Sequence, residues 1–152
     1  MPASAILSSR PAARGYVDDA IVRCIEACFD CAQTCIASAD ACVDEAAATS
    51  LSRCLRLNLD CANACATTGP VLSRRTDGRE ALIRQLLETC AALCRACADE
   101  CSRHARAHEH CRICAEACRI CERACQAAAA SIGAAGPRGV APEALASRAA
   151  AG

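Results

Sequence analysis

The sequence has almost no aromatic residues and no lysine. Its 152 residues include one Tyr, one Phe and no Trp, and 17 basic residues, all arginine, balance 17 acidic residues. Because there is neither a basic excess nor a set of aromatic stacking platforms, nucleic acid is not an expected partner. No apolar run reaches the roughly 20 residues that span a bilayer, so a membrane is not an expected partner either.

The N-terminus lacks the pattern of an export signal. Within the first 15 residues Pro2, Ser4 and Arg10 interrupt any apolar run, and no twin-arginine pair precedes one. We therefore expect a cytoplasmic protein, in which thiols stay reduced. The length is that of one domain with a real hydrophobic core.

Glycine and proline are scarce, with 7 and 5 residues, whereas cysteine is abundant, with 17. So much cysteine in a short chain is typical of disulfide scaffolds. Such scaffolds are rich in loops, however, and an odd count would leave one thiol unpaired. Here the cysteines follow one another in steps of three, four or seven residues within each segment. This spacing predicts free thiols along helices.

The predicted fold class is all-α. Ala, Arg, Leu, Glu and Cys dominate, and no segment alternates with a period of two. Four helices are expected, each with one stripe of thiols. The first helix is predicted from about Val17 to Ala47, and the second from about Ser50 to Ala66, with a stop at Gly69 and Pro70. The third begins after Asp77, which forms a capping box with Glu80, and ends at about His104. The fourth runs from about His108 to Ile132, with Gly133 as its C-terminal residue.

Four amphipathic helices with inward stripes predict an antiparallel four-helix bundle with a cysteine-lined core. A turn over residues 105–107 would separate the last two helices. The bundle domain is expected to span residues 16–133. Residues 1–15 and 134–152 are rich in Ala, Gly, Pro and Ser and are predicted to be mobile tails.

Thiols at this density are expected to bind metal. Ala, Val or Leu would fill the same core without the risk of oxidation, and thiolates select Cu(I), Zn(II) or iron–sulfur clusters. Sulfurs four residues apart can share one ion, whereas a whole stripe is too long to do so. The predicted pairs are Cys24 with Cys28, Cys31 with Cys35, Cys61 with Cys65, Cys90 with Cys94, Cys97 with Cys101, Cys114 with Cys118 and Cys121 with Cys125.

Charge favours copper among these metals. A zinc ion with four thiolates carries two net negative charges, and several such sites in a dry core would require paired cations that the stripes lack. One thiolate per Cu(I), with each sulfur bridging two metals, is neutral. We therefore predict that the core takes up many Cu(I) ions. A zinc-thiolate or iron–sulfur protein with a redox or interaction role is the alternative.

Asn58 occupies a position where the spacing would place a thiol, between Cys54 and Cys61. Its side chain has two interpretations. It either lends an oxygen to a metal ion or makes a hydrogen bond within the core.

Two histidines continue the steps of three and four between Cys101 and Cys111. His104 and His108 are either imidazoles that receive Cu(I) at one end of the bundle or solvated residues at helix ends. His110 lies off the stripe and is expected at the surface.

These features resemble the bacterial copper storage proteins, in particular their cytosolic members. The resemblance rests on HxHCRxCAEACRxCERAC from His108 to Cys125, on CxxxCxxCxxxC from Cys24 to Cys35, and on the missing export signal, and it covers about residues 17–132. It implies a bundle that stores many Cu(I) ions, histidines near one open end, and assembly into a homotetramer.

The expected function is reversible sequestration of Cu(I) without an enzymatic reaction. Copper ions are the expected partners, with a copper chaperone as a candidate donor. The implied metal ligands are Asn58, His104, His108 and all seventeen cysteines: Cys24, Cys28, Cys31, Cys35, Cys42, Cys54, Cys61, Cys65, Cys90, Cys94, Cys97, Cys101, Cys111, Cys114, Cys118, Cys121 and Cys125.

Overall fold

The structure, a computed structural model, describes residues 2–9, 18–46, 48–74 and 78–134. Within these ranges the chain is helical, without a strand. None of these helices has a stretch long and apolar enough to cross a membrane. The elements are α1 (Ala3–Ser8), α2 (Asp19–Asp44), a short 3-10 turn (Ala48–Leu51), α3 (Ser52–Ser73), α4 (Glu80–His104) and α5 (Glu109–Ala134).

The four long helices form the predicted antiparallel bundle. α2 packs against α3 and α5, and α4 packs against α3 and α5, so the helices close a ring around one core. Short connections join consecutive helices and reverse the chain each time, as expected for this architecture. The all-α fold class and the cysteine-lined core are both confirmed.

Local signals account for the ends of the helices. Asp18 caps α2 by accepting a hydrogen bond from the backbone N–H of Ala20 at 2.9 Å. The predicted turn between α4 and α5 is present at residues 105–107, where the N–H of Ala107 donates to the carbonyl of His104 at 3.1 Å. Asp77 lies outside the described residues, as do residues 135–152.

The predicted stop of the second helix at Gly69 and Pro70 is wrong. α3 continues through both residues to Ser73. A residue before proline is usually pushed out of the helical region because its Cβ meets the proline ring, and glycine has no Cβ. The same absence lets α3 approach α2, since a Cβ on Gly69 would lie 3.2 Å from a ring carbon of Phe29. The extra turn also buries Leu72 in the core.

α1 is a helix that the sequence analysis missed within its predicted N-terminal tail. Six residues are too few to show a hydrophobic period. Leu7 nevertheless joins the hydrophobic core. At the other end of the described chain, α5 includes Gly133 and runs to Ala134, close to the predicted end.

Aliphatic side chains fill the end of the bundle where α2 begins and α3 ends. Four of these side chains are no more than 1% exposed and belong to one hydrophobic cluster with Leu7: Ile21, Ile25, Leu72 and Leu87. We call this the aliphatic end. Thiols occupy the bundle axis from there to the opposite end.

Candidate metal-binding core

All seventeen cysteines lie in the centre of the bundle as free thiols. None of them is more than 1% exposed, because steps of three and four keep each stripe on the inner face of its helix. Contacting sulfurs lie from 3.4 to 4.0 Å apart. Two sulfurs bonded to one metal at about 2.3 Å can be no more than about 4.6 Å apart. The thiols therefore already stand at distances that suit metal binding.

The sulfur contacts run mainly between helices. In four groups, every sulfur lies within 4.8 Å of the other three, and each group draws on at least three helices. The predicted pairs Cys31 with Cys35, Cys114 with Cys118 and Cys121 with Cys125 each lie within one of these groups, and sulfurs from other helices complete the group. The groups are Cys28, Cys90, Cys121 and Cys125; Cys31, Cys65, Cys94 and Cys121; Cys31, Cys35, Cys61 and Cys118; and Cys35, Cys97, Cys114 and Cys118.

These groups share sulfurs. Cys31, Cys35, Cys118 and Cys121 each belong to two of them. A separate structural zinc site closes a shell of four ligands of its own, so the overlapping groups do not suit separate zinc sites. A sulfur that belongs to two groups can instead bridge two metals. The arrangement therefore favours a continuous metal–thiolate array over separate sites.

Burial keeps two thiols neutral at the end of the bundle opposite the aliphatic end. Loss of hydration raises the pKa of Cys42 to about 12 and also raises the pKa of Cys111. Cys54 behaves differently, because its hydrogen bond with Cys101, whose sulfur lies 3.4 Å away, lowers its pKa to about 7. Of these three, Cys54 therefore yields a thiolate most readily near neutral pH.

Asn58 is completely buried beside the sulfur column. Its Oδ1 accepts hydrogen bonds from the thiols of Cys97 at 3.0 Å, Cys114 at 3.2 Å and Cys101 at 3.3 Å. The structure thus shows the predicted hydrogen bonding of Asn58 within the core. It also places Oδ1, the one atom of the amide that could bind a metal, next to three thiols.

A mixed group of one imidazole and two thiols lies at the end of the column. The sulfurs of Cys42 and Cys111 and a ring nitrogen of His110 lie within 4.8 Å of one another. The expectation that His110 lies at the surface is wrong, since its side chain is only 19% exposed. Its Nδ1 lies 3.6 Å from the sulfur of Cys111.

The carboxylate of Glu45 orients this imidazole. Its Oε1 lies 3.1 Å from Nε2 of His110 and 2.9 Å from Nδ1 of His108. These hydrogen bonds, the one from His108 first, hold the pKa of Glu45 below its usual value. Because Nε2 of His110 donates to Glu45, the neutral ring carries its lone pair on Nδ1, on the side of the thiols.

The other two histidines pair with carboxylates. His108 forms a hydrogen bond with Glu45, as described above. Nε2 of His104 lies 3.3 Å from Oε1 of Glu100, and the carboxylate of Glu100 also pairs with Arg53 and Arg103. His104, His108 and His110 nevertheless lie at the same end of the bundle, which we call the histidine end.

Sequence reasoning missed three polar residues near the thiols. Ser38 and Glu45 stand three residues after Cys35 and Cys42, so the same helical steps would have found them. His110 stands four residues before Cys114, which is also a helical step. Steps of three and four counted forward from Cys101 across the turn at residues 105–107 select His104 and His108, whereas His110 is selected only by counting back from Cys114.

The chain matches the copper storage protein family over residues 17–130. The structure of the copper storage protein Ccsp of Streptomyces lividans loaded with 10 copper equivalents is 50% identical, with a TM-score of 0.80 over 84% of this chain and 98% of that one. A cytosolic copper storage protein of the same organism with five coppers is 53% identical, with a TM-score of 0.72 over 74% and 93%. The Cu(I)-bound form of Bacillus subtilis copper storage protein 3 is 35% identical, with a TM-score of 0.63 over 70% and 94%.

Proposed function

We propose that this chain, which belongs to the copper storage protein family, holds many Cu(I) ions on the thiolates of its core and so stores copper in the cytoplasm. The observation that carries the proposal is the set of seventeen buried free thiols whose four-sulfur groups overlap. The Streptomyces lividans relative described as cytosolic supports the location.

Charge balance explains why copper suits this interior. Each thiol that binds Cu(I) loses a proton, so a thiolate and a monovalent cation replace a neutral S–H group. With one thiolate per metal and bridging sulfurs, the array stays close to neutral in a dry core. Zinc-thiolate or iron–sulfur chemistry is not favoured, because both would leave excess negative charge without cations nearby.

The proposed ligands are the seventeen cysteines, with oxygen or nitrogen donors at particular places. Oδ1 of Asn58 supports metals near Cys97, Cys101 and Cys114, and Nδ1 of His110 completes the group with Cys42 and Cys111. His104 and His108 are retained as residues that receive Cu(I), supported by their place at the histidine end.

Storage needs no catalytic step, and we propose that the chain has none. Cu(I) would arrive from a copper chaperone, because a soft cation exchanges readily between thiolate proteins. It would pass the histidine end rather than the aliphatic end, where buried Ile and Leu side chains offer no ligand.

The proposal includes assembly into a homotetramer. An apolar stripe on the outer face of α2 supports it: Phe29, Ile36 and Val43 recur every seven residues and are 42%, 56% and 61% exposed. Exposed apolar stripes of this kind commonly mark protein interfaces. The mass of the protein in solution, measured by light scattering, checks this part of the proposal.

An anaerobic titration of the reduced apo protein with Cu(I), against a competing chelator, tests the function. We expect uptake approaching one ion per thiol. A variant with serine at Cys31, Cys35, Cys61 and Cys118 should lose about four equivalents if thiolates and metals match one to one. Saturation of the wild type by one or a few ions, or tighter binding of Zn(II) than of Cu(I), would contradict the proposal.

A further inference from the structure

Ser38 is a buried polar residue with no assigned role. It lies on α2 between Cys35 and Cys42, and its side chain and backbone are 3% exposed. The Oγ atom lies 3.1 Å from Nδ2 of Asn58, 3.3 Å from Nδ1 of His110 and 3.5 Å from the carbonyl oxygen of His110. Ser38 therefore links the side chain of Asn58 to the imidazole of His110 through hydrogen bonds.

The amide of Asn58 could face the thiols in either of two orientations. With Oδ1 toward Cys97, Cys101 and Cys114, it accepts their S–H groups and offers lone pairs to a cation. With the NH2 group in that place, it would offer only hydrogens and no ligand atom. The two orientations have nearly the same shape, so packing alone does not choose between them.

Ser38 distinguishes the two orientations. Its Oγ accepts a hydrogen bond from Nδ2 of Asn58, and it donates its own hydrogen toward His110. If the amide turned over, the carbonyl oxygen of Asn58 would face Ser38, and the NH2 group would lose its hydroxyl acceptor. A buried polar group without a partner costs about 1–3 kcal/mol. The hydroxyl therefore keeps the carbonyl oxygen toward the thiols.

We propose that Ser38 is a positioning residue for copper binding, which acts by holding Oδ1 of Asn58 toward Cys97, Cys101 and Cys114. The inference rests on the proposed function and adds to it a residue that binds no metal itself. When Cu(I) replaces the three S–H hydrogens, the oxygen loses its donors and faces the cation. The amide hydrogens stay on the far side, bonded to Ser38.

A double-mutant cycle with Cu(I) and a competing chelator tests the pathway of this effect. Ser38→Ala should weaken Cu(I) binding by about tenfold, the range seen when a residue that orients a metal ligand is removed. In an Asn58→Ala background the same change should have no further effect. Thr68→Val is the matched control: it removes another buried hydroxyl, which donates to the Ala64 carbonyl of its own helix, and should leave affinity unchanged.

An equal loss in both backgrounds would overturn the proposal, because Ser38 would then act through His110 or the fold. Unchanged affinity in Ser38→Ala would overturn it as well. A measurement without copper keeps the inference separate from the proposed function. In the 15N-labelled apo wild type, the side-chain NH2 signal of Asn58, identified by its loss in Asn58→Ala, should exchange slowly with solvent. Because burial alone slows exchange, the comparison is with Ser38→Ala: faster exchange of this signal in Ser38→Ala than in the wild type and in Thr68→Val would support the inference even if Cu(I) binding failed, and an unchanged rate would contradict it even if copper binds.

Discussion

The two ends of the bundle differ although the same helical steps run through both. At the aliphatic end the stripes continue as Ile21 and Leu87, and after Cys65 as Thr68 and then Leu72. At the histidine end the stripe of α2 continues as Ser38 and Glu45, with the imidazoles beside them, whereas the stripe of α3 continues as the buried Leu51. The stripe positions are thus mainly aliphatic at one end, whereas most of the polar atoms that could meet a metal lie at the other.

This difference assigns separate tasks to the two ends. Buried aliphatic groups contribute most of the free energy of folding that a small core can supply. Imidazole and carboxylate groups contribute little to that free energy but hold protons and metals. Changes at the aliphatic end should therefore affect stability, and changes at the histidine end should affect copper.

The largest effect is expected from Leu87→Ala at the aliphatic end. Loss of a fully buried leucine should lower the free energy of unfolding by about 2–5 kcal/mol, through lost burial and the cavity left behind. The copper capacity of the folded variant should stay the same. Urea unfolding of the reduced apo protein, followed by circular dichroism, measures the first effect, and Cu(I) titration measures the second.

Leu82→Ala is the control on the same helix, because Leu82 is 66% exposed. It should change the free energy of unfolding by no more than about 0.5 kcal/mol. Equal losses for the two variants, or a lower copper capacity for folded Leu87→Ala, would remove the distinction between the ends.

A smaller effect is expected from pH at the histidine end. Burial raises the pKa of Cys42 to about 12 and raises that of Cys111, so both thiols keep their protons at neutral pH. Each must lose its proton to bind Cu(I). The affinity of this group should therefore fall as pH falls, by about tenfold per pH unit for each proton released. Chelator competition at two pH values near neutrality, with a chelator calibrated at each, measures the slope.

The double variant with serine at Cys42 and Cys111 provides the comparison for that slope. It should bind fewer ions and should no longer show the pH-dependent component that these two thiols contribute. An affinity of the wild-type group that stays constant with pH would show that its thiols are already ionised, contrary to their burial.

The smallest of the three effects is expected from His110→Ala. This change removes one of three potential ligands from the group with Cys42 and Cys111, so the affinity of that group should fall by about tenfold. Stability should change by no more than about 1 kcal/mol, because the ring is partly exposed. Cu(I) competition and urea unfolding measure the two quantities.

His104→Ala is the matched variant, since its imidazole pairs with Glu100 instead of a pair of thiols. Its effect on copper affinity should be smaller than that of His110→Ala. The reverse order would mean that the route of copper passes His104, and the assignment of the mixed group to His110 would be wrong.

Much of the fold could be predicted from the sequence, because steps of three and four identify one face of each helix. The orientation of the stripes is enough to define a four-helix bundle and its core. The end of α3 could not be read in this way, since the packing of Gly69 on Phe29 depends on a neighbouring helix. The short α1 helix escaped for a related reason: its stability comes from contact with the bundle.

At the histidine end, counting helical steps along the sequence did not predict which side chains lie beside the thiols. Steps of three and four from Cys101 through His104 and His108 to Cys111 assume a continuous helix. The turn at residues 105–107 resets the helical phase, so those two side chains turn toward Glu100 and Glu45. Grouping of sulfurs from different helices was likewise beyond the sequence, because it depends on how the four helices are aligned.

The overlap of the four-sulfur groups has a consequence for unloading. Under the proposed function, a sulfur that belongs to two groups, such as Cys31 or Cys118, would remain coordinated when one of two bridged ions leaves, so the remaining metal would keep the local structure in place. An ion can also gain a bond to the next sulfur before it breaks its last one, since adjacent sulfurs lie within 4.0 Å. Copper bound in this way would migrate along the axis by successive ligand exchange, without being released as a bare ion inside the protein.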